Sequence, residues 1–126
     1  MDGASLKRVL ITDDSASMRH VLSLWFLALG WDVHTAEDGQ DALRVLDQTG
    51  PDLLVTDNAM PGMSGLELIA AVREQRAEGP QILMITADST VETLTAAMDA
   101  GADEYLVKPV TLDRLEGTLG ALGHAA

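Results

Sequence analysis

Short runs of apolar residues alternate along this chain with longer segments whose apolar residues recur every three to four positions. The first pattern predicts β-strands and the second predicts amphipathic α-helices. Strands are predicted at residues 9–12, 33–36, 53–56, 82–85 and 105–107. Helices are predicted at residues 16–29, 40–48, 65–77, 91–100 and 112–122. These successive βα units indicate an α/β fold in which right-handed crossovers join parallel strands.

The strands differ in how they are expected to be covered. The third and fourth predicted strands are apolar on both faces, which is typical of strands with helices on both sides of the sheet. The second carries His34 and Thr35 and is predicted to lie at an edge. The last helix contains Gly117 and Gly120, and glycine weakens a helix by about 1 kcal/mol relative to alanine.

Four of the predicted strands run directly into residues used in phosphate and metal chemistry. The first ends in Asp13 and Asp14, the third in Asp57, the fourth in Thr86 and the fifth in Lys108. Because the carboxyl ends of parallel strands meet at one edge of a sheet, we expect these side chains to share one site. Each residue taken singly also fits a helix cap or a turn, and it is their joint placement that favours a site.

The chemistry of such a site follows from its charge. Three carboxylates in one pocket cannot all stay ionised unless a cation offsets them. Mg²⁺ fits this requirement, because it prefers oxygen ligands and binds through one or two carboxylates together with water and phosphate oxygens. Lys108 and Thr86 would supply a cation and a hydroxyl donor for the oxygens of a phosphoryl group.

Composition narrows the class of protein. With 126 residues, 47% of them hydrophobic, the chain fits one domain over residues 1–126, with an ordered core of about residues 6–122 and no output domain. The absence of cysteine excludes disulfides and thiolate chemistry. A net charge of −12 opposes binding to nucleic acid or to anionic membranes. Residues 1–5 contain no leader-like stretch, and no run is long enough for membrane insertion, so we expect a cytoplasmic protein.

An ordered set of segments resembles response-regulator receiver domains over nearly the whole chain. The matching segments are residues 12–15 (TDDS), 36–39 (AEDG), 57–65 (DNAMPGMSG), 86–87 (TA) and 102–109 (ADEYLVKP). The resemblance implies a CheY-like, flavodoxin-like doubly wound (βα)5 three-layer sandwich with a parallel five-stranded sheet of order 2-1-3-4-5.

The resemblance also implies a division of roles at the metal site. Asp57 would accept a phosphoryl group from a phosphohistidine. Asp14 and Asp57 would ligate Mg²⁺ directly, together with the backbone carbonyl of Ala59, and Asp13 would act through a coordinated water. This arrangement suits phosphoryl transfer, in which positioning and neutralisation of negative charge provide most of the catalysis.

A second set of residues would respond to the phosphoryl group. By the same resemblance, Lys108 would pair with it and Thr86 would move to bond one of its oxygens. Tyr105 matches the family's switch aromatic, and helix four, strand five and helix five would form the responsive surface. The peptide bond between Lys108 and Pro109 is a candidate for the cis form. Ala59 and Asp88 depart from the commonest family pattern at positions that border the path of a hydrolytic water.

The first helix carries more apolar residues than one buried face requires. Spacing of about 100° per residue places a core stripe on one side of it, made of Met18, Val21, Leu22, Trp25 and Leu29. Leu24 and Leu27 fall near the opposite side. Exposed apolar patches can mark partner sites, and docking to a helical bundle is one interpretation. Scattered surface leucines, or packing against helix five, is the other.

The resulting interpretation is a stand-alone two-component response regulator, acting as a chemotaxis-like messenger or a phosphorelay shuttle. Its partners would be a sensor histidine kinase or a histidine phosphotransfer protein, and a downstream target protein. It would not be an enzyme beyond catalysing its own phosphorylation and dephosphorylation. A docking receiver that is never phosphorylated is an alternative. An aspartate-nucleophile phosphatase is disfavoured, because Ala59 stands where its acid-base carboxylate would be.

Overall fold

The computed structural model describes residues 6–124, so the predictions about residues 1–5 lie outside the described residues. The strands are β1 (Arg8–Thr12), β2 (Asp32–Ala36), β3 (Leu53–Thr56), β4 (Gln81–Thr86) and β5 (Glu104–Val107). The helices are α1 (Ala16–Ala28), α2 (Gly39–Thr49), α3 (Gly65–Gln75), α4 (Val91–Ala100) and α5 (Leu112–Ala121). Every predicted element is present. The largest difference is at α3, which ends at Gln75 rather than at Ala77.

The five strands form one parallel sheet in the order β2-β1-β3-β4-β5, which confirms the predicted fold. β2 lies at an edge, as its polar residues predicted. The register brings the strand ends level, because Thr12 pairs with both Ala36 and Thr56. The chain passes from β1 through α1 to β2 on one side of β1 and then through α2 to β3 on its other side. The strand order therefore reverses between β1 and β3, and their carboxyl ends border the crevice where ligands bind in such folds.

Helices cover both faces of the sheet and make it three-layered. Alternate strand residues such as Leu10 and Leu54 belong to one buried cluster with residues of α2, α3 and α4. Their neighbours, such as Ile11 and Val55, belong to a second cluster with residues of α1 and α5. All of β3 is buried, because it is central and covered by both helical layers. This arrangement accounts for the apolar runs of the central strands.

The buried face of α1 differs from the predicted stripe. Leu22 and Phe26 are its buried residues, whereas Val21, predicted in the core, is 38% exposed. The contact side is rotated toward Phe26, whose ring meets the Trp31 ring edge-on with centroids 5.4 Å apart. Helical periodicity defines which residues share a face, but only the position of the sheet decides where burial is centred. No helix within residues 6–124 combines the length and apolar character needed to cross a membrane.

Candidate functional site

Three aspartates meet at the carboxyl edge of the sheet, beyond the ends of β1 and β3. Asp13, Asp14 and Asp57 each offer a carboxylate oxygen, and these oxygens all lie within 4.8 Å of one another. Two oxygens bound to one Mg²⁺ lie at most about 4.2 Å apart, given Mg–O distances near 2.1 Å. The oxygens are therefore close to the spacing that such an ion needs. Asp13 and Asp57 are buried, and Asp14 is exposed.

Lys108 is the cation that faces these carboxylates. Its Nζ atom lies 3.2 Å from Oδ2 of Asp57 and 3.6 Å from Oδ2 of Asp13. A backbone hydrogen bond positions it, because the Lys108 N–H donates to the carbonyl of Thr86 at 2.8 Å. The peptide bond between Lys108 and Pro109 is cis. One ammonium against three carboxylates leaves negative charge uncompensated, which is the electrostatic condition for binding a divalent cation.

The pKa of Asp13 reflects its burial first and the neighbouring charges second. Burial raises the pKa of Asp13, and the charges of Asp57 and Asp14 raise that pKa further. The Ser15 N–H, which donates to Oδ1 of Asp13 at 2.9 Å, and the nearby Lys108 act in the opposite direction. Ser15, rather than either aspartate, is the N-cap of α1. The aspartate pair is therefore free of the capping role that each could have had alone.

The loop after β3 holds Asp57 closely against the start of α3. The Asn58 N–H donates to Oδ1 of Asp57 at 2.7 Å, and the Gly65 N–H donates to the Asn58 carbonyl at 2.9 Å. A Cβ atom at Gly65 would lie 2.1 Å from the Asp57 carbonyl oxygen. Only glycine fits this approach. Both residues stand in the segment that carried the family resemblance, but their supporting roles were not predicted.

Thr86 reaches the same edge from β4. It is buried, and its hydroxyl oxygen accepts the Asp88 N–H at 3.0 Å. The Asp88 carboxylate accepts in turn from the Thr93 hydroxyl at 2.7 Å and from the Thr90 N–H at 2.9 Å. The Thr93 hydrogen bond, followed by those from Thr90, holds the pKa of Asp88 below its usual value. Ala59 is exposed beside the Asp57 loop.

Two sets of predicted residues lie away from the carboxylates. Tyr105 is partly buried and lines an open surface pocket of about 240 Å³ together with residues of α4. The other lining residues are Val91, Leu94, Thr95 and Met98. Leu24 and Leu27 on α1 are 52% and 57% exposed, which confirms that they face away from the core. The structure thus separates one chemical site from two surface features.

The strand order and the acidic edge define the class of protein. A sequence profile of the response regulator receiver domain family matches residues 9–119, and this chain belongs to that family. The resemblance noted in the sequence is therefore confirmed, and the receiver domain accounts for nearly all of the chain.

The relatives of this chain include solved receiver structures of similar length and curated transcriptional regulators that are about twice as long. The chemotaxis protein CheY4 of Vibrio cholerae is 35% identical, with a TM-score of 0.88 over 93% of this chain and 98% of that one. TrrA of Thermotoga maritima, solved in complex with Mg²⁺-BeF, is 33% identical, with a TM-score of 0.83 over 93% of this chain and 99% of that one. The transcriptional regulatory protein TrcR of Mycobacterium tuberculosis is 36% identical over 121 residues, which are 96% of this chain and 46% of TrcR. This chain thus spans about half the length of the curated transcriptional regulators it matches.

Proposed function

We propose that this receiver accepts a phosphoryl group on Asp57 from a phosphohistidine of a sensor kinase or phosphotransfer protein, and signals through altered protein contacts. The observation that carries the proposal is the placement of Lys108 Nζ 3.2 Å from Oδ2 of Asp57, within a group of three carboxylates. A carboxylate beside an ammonium and a bound divalent cation has both the nucleophile and the charge neutralisation that phosphoryl transfer requires.

The proposed metal is Mg²⁺, which Asp14, Asp57 and the Ala59 carbonyl would hold directly and Asp13 would hold through a coordinated water. The all-oxygen donor set and its spacing support this choice, as does the Mg²⁺-BeF complex of the Thermotoga relative. When bound, the ion would neutralise charge on the phosphoryl oxygens. Its own contribution is distinct from that of the protein, which supplies the nucleophile and holds it in place.

The transfer step uses groups that this chain provides. An Asp57 carboxylate oxygen attacks phosphorus, the phosphorus–nitrogen bond of the phosphohistidine breaks, and its electron pair stays on the imidazole. The Asn58 N–H fixes Oδ1 of Asp57 at 2.7 Å, while Lys108 faces Oδ2. The acceptor is therefore oriented before the donor arrives, which lowers the cost of positioning. The chain catalyses its own modification and would not act on a separate substrate.

The switch would run from Thr86 to Tyr105. To bond a phosphoryl oxygen, the Thr86 hydroxyl would shift relative to the Asp88 N–H that now donates to it. Tyr105 lines an open pocket against residues of α4, which offers room for its ring to change position. Val91 also lines that pocket and is 75% exposed, so a rearrangement there would change the surface that a downstream target meets.

A chemotaxis-like messenger or a phosphorelay shuttle in the cytoplasm is the role that we favour. The likeness to the Vibrio chemotaxis protein, with a TM-score of 0.88 and 35% identity, supports it. A receiver that only docks without phosphorylation is the second candidate, but it would not need the aspartates, Lys108 and Thr86 at one edge.

The decisive experiment uses a small-molecule donor. The protein is incubated with Mg²⁺ and acetyl phosphate and its intact mass is measured. We expect one added phosphoryl group that hydroxylamine removes, and none in Asp57→Asn. Absence of labelling in the wild type, or labelling that persists in Asp57→Asn, would contradict the proposal.

A second experiment tests α1 as the face for the phosphoryl donor. Leu24→Glu combined with Leu27→Glu should slow transfer from a histidine phosphotransfer protein by about tenfold while leaving the rate with acetyl phosphate unchanged. Val91→Glu is the matched control, because it places a carboxylate on an exposed apolar residue of α4 instead. Equal slowing by both sets of substitutions would remove α1 as the docking face.

A further inference from the structure

The arginines of this chain fall into two groups according to what they bind. Within residues 6–124, four of them lie within 4.0 Å of carboxylates, namely Arg8, Arg44, Arg73 and Arg76. Arg8 and Arg73 also donate to backbone carbonyls, whereas Arg19 and Arg114 donate to backbone carbonyls without pairing with a carboxylate of the described residues. The carbonyl bound by Arg19 belongs to Asp13, and one bound by Arg114 belongs to Pro109. Both arginines thus bind the loops that carry the site residues.

Arg19 makes the stronger of these contacts. Its Nη1 donates to the Asp13 carbonyl at 2.6 Å in a partly buried position. Arg114 reaches the Val107 and Pro109 carbonyls at 3.5 and 3.3 Å on the exposed surface. A charged donor at short distance makes a strong hydrogen bond, and partial burial protects it from competition with water. In addition, α1 contains no aspartate or glutamate that could draw the guanidinium elsewhere.

A hydrogen bond to the Asp13 carbonyl constrains the backbone between two of the site's aspartates. Its oxygen lies in the plane of the peptide that joins Asp13 to Asp14, so anchoring the oxygen fixes the orientation of that plane and the position of the next Cα atom. The Ser15 N–H holds the Asp13 side chain independently, at Oδ1. The backbone between two of the three carboxylates is therefore fixed by Arg19 and the first side chain by Ser15.

We propose that Arg19 is a positioning residue for the metal site, which fixes the peptide between Asp13 and Asp14 so that their carboxylates stand ready for a divalent cation. The inference rests on the proposed function, because it concerns the Mg²⁺ that the phosphoryl transfer would use. Partners that orient metal ligands commonly contribute ten- to a hundredfold to affinity.

The sign of the effect separates positioning from simple electrostatics. Arg19 carries a positive charge beside a cation site, so charge alone predicts that Arg19→Ala would tighten Mg²⁺ binding. Loss of positioning predicts the opposite, a weakening of about tenfold. Arg19→Lys retains the charge and one donor on a shorter, non-planar group and should show an intermediate affinity. Arg114→Ala should have the smaller effect, because its contacts are longer and exposed.

The test is a calorimetric Mg²⁺ titration of the wild type, Arg19→Ala and Arg19→Lys. Arg44→Ala is the matched control, since it removes the same charge from an exposed arginine of α2 that pairs with Asp41. A second readout needs no metal. In the metal-free protein, amide exchange measured by NMR should accelerate at Ser15 in Arg19→Ala, while the Gly65 amide at the start of α3 should keep its rate.

The outcomes distinguish the two proposals. If the wild type binds Mg²⁺ and Arg19→Ala binds it as tightly as Arg44→Ala or more tightly, with unchanged Ser15 exchange, the positioning role is overturned. If the wild type neither binds Mg²⁺ nor accepts a phosphoryl group, the proposed function fails, and the Ser15 exchange rates still decide whether Arg19 holds the turn. If Arg19→Ala does not fold, Arg19→Lys carries the same comparison, and an affinity equal to that of Arg44→Ala would overturn the role.

Discussion

Charged groups have partners at one edge of the sheet, whereas carboxylates are crowded together at the other. At the amino edge, which we define by Lys7, Arg8, Trp31, Asp52, Gln81 and His124, charged groups have partners. Arg8 lies 3.5 Å from Asp32, and its N–H donates to Asp52 at 2.8 Å. The His124 ring lies between Lys7 Nζ, 2.8 Å from Nδ1, and the Gln81 amide oxygen beside Nε2. At the carboxyl edge, defined by Asp13, Asp14, Asp57, Thr86 and Lys108, three carboxylates face one ammonium.

In the absence of a metal ion, the carboxyl edge is the electrostatically less favourable of the two edges. Like charges held together reduce the stability of the metal-free protein, and a bound cation would recover that free energy. At the amino edge the Arg8 guanidinium has the Asp32 carboxylate as its partner and the Lys7 ammonium has the His124 ring, so carboxylates are not crowded together there. Perturbed carboxylates in a crevice are a common mark of a functional site. Matched substitutions at the two edges test this contrast.

The largest effect is expected from crowding at the carboxyl edge. Gly65→Ala would place a Cβ atom against the Asp57 carbonyl oxygen, and we expect it to lower the free energy of unfolding by about 3 kcal/mol. Gly117→Ala is the control, because nothing lies within 4 Å of its added Cβ atom. It should raise stability by about 1 kcal/mol as a helix substitution. Urea unfolding measures both, and equal stabilities would contradict the close approach.

Neutralising one buried carboxylate should have a smaller effect of opposite sign. Burial raises the pKa of Asp13 above its usual value of 3.8. The protonated carboxyl therefore stabilises the folded state below pH 3.8, and this stabilisation is lost as the pH rises through the raised pKa. Asp13→Asn, which keeps an oxygen for the Ser15 N–H, should therefore stabilise the metal-free protein at pH 7 by about 1 kcal/mol. Added Mg²⁺ should stabilise the wild type more than the variant.

The corresponding substitution at the amino edge is the control for this effect. Asp52→Asn removes a charge from a carboxylate that accepts the Arg8 N–H, and there we expect a change within about 0.5 kcal/mol. Thermal unfolding without metal measures both variants. A stabilisation by Asp52→Asn equal to that by Asp13→Asn would mean that general acidity, rather than the carboxyl edge, is responsible.

The smallest effect concerns pH at the amino edge. Burial, with a further contribution from the Lys7 charge, lowers the pKa of His124 below 6.5, although Asp52 acts in the opposite direction. The contribution of neutral His124 is therefore present above pH 6.5 and is lost as the pH falls toward the lowered pKa. Between pH 8 and 5.5, the wild type should lose less than about 1 kcal/mol relative to His124→Gln.

The pH dependence of the wild type and of His124→Gln is measured by urea unfolding at a series of pH values. Trp31 offers a second readout, since its ring lies 5.0 Å from the His124 ring, and its fluorescence should follow the protonation. An identical pH dependence of His124→Gln and the wild type would show that this contact does not respond to pH.

Much of the fold could be predicted because local pattern and global topology agree. The continuous apolar runs of β3 and β4 indicated burial on both faces, and helices do cover both faces. The strand order came with the family resemblance, since periodicity does not encode which strands pair. The predicted core stripe of α1 is partly wrong, because it includes Val21, which is exposed, and leaves out Phe26, which is buried. Periodicity considers one helix alone, whereas the sheet beneath the helix decides which side is covered.

The site was predicted as a set of residues but not as an arrangement. Strand ends followed by Asp13, Asp57, Thr86 and Lys108 indicated convergence, and the oxygens of the aspartates do lie within 4.8 Å of one another. The supporting contacts of Arg19, Asn58 and Gly65 gave no signal in periodicity, because each depends on the backbone geometry of a loop at a strand end. Their roles require coordinates.

The sequence by itself determined which residues form strands and helices, and which chemical groups stand at the strand ends, because both depend on local order along the chain. Only the tertiary structure decided that Lys108 lies 3.2 Å from Asp57, that Arg19 binds the Asp13 carbonyl, and that charged groups have partners at the amino edge. Distances between groups far apart in sequence arise from the packing of whole elements, and electrostatic energies depend on those distances and on burial.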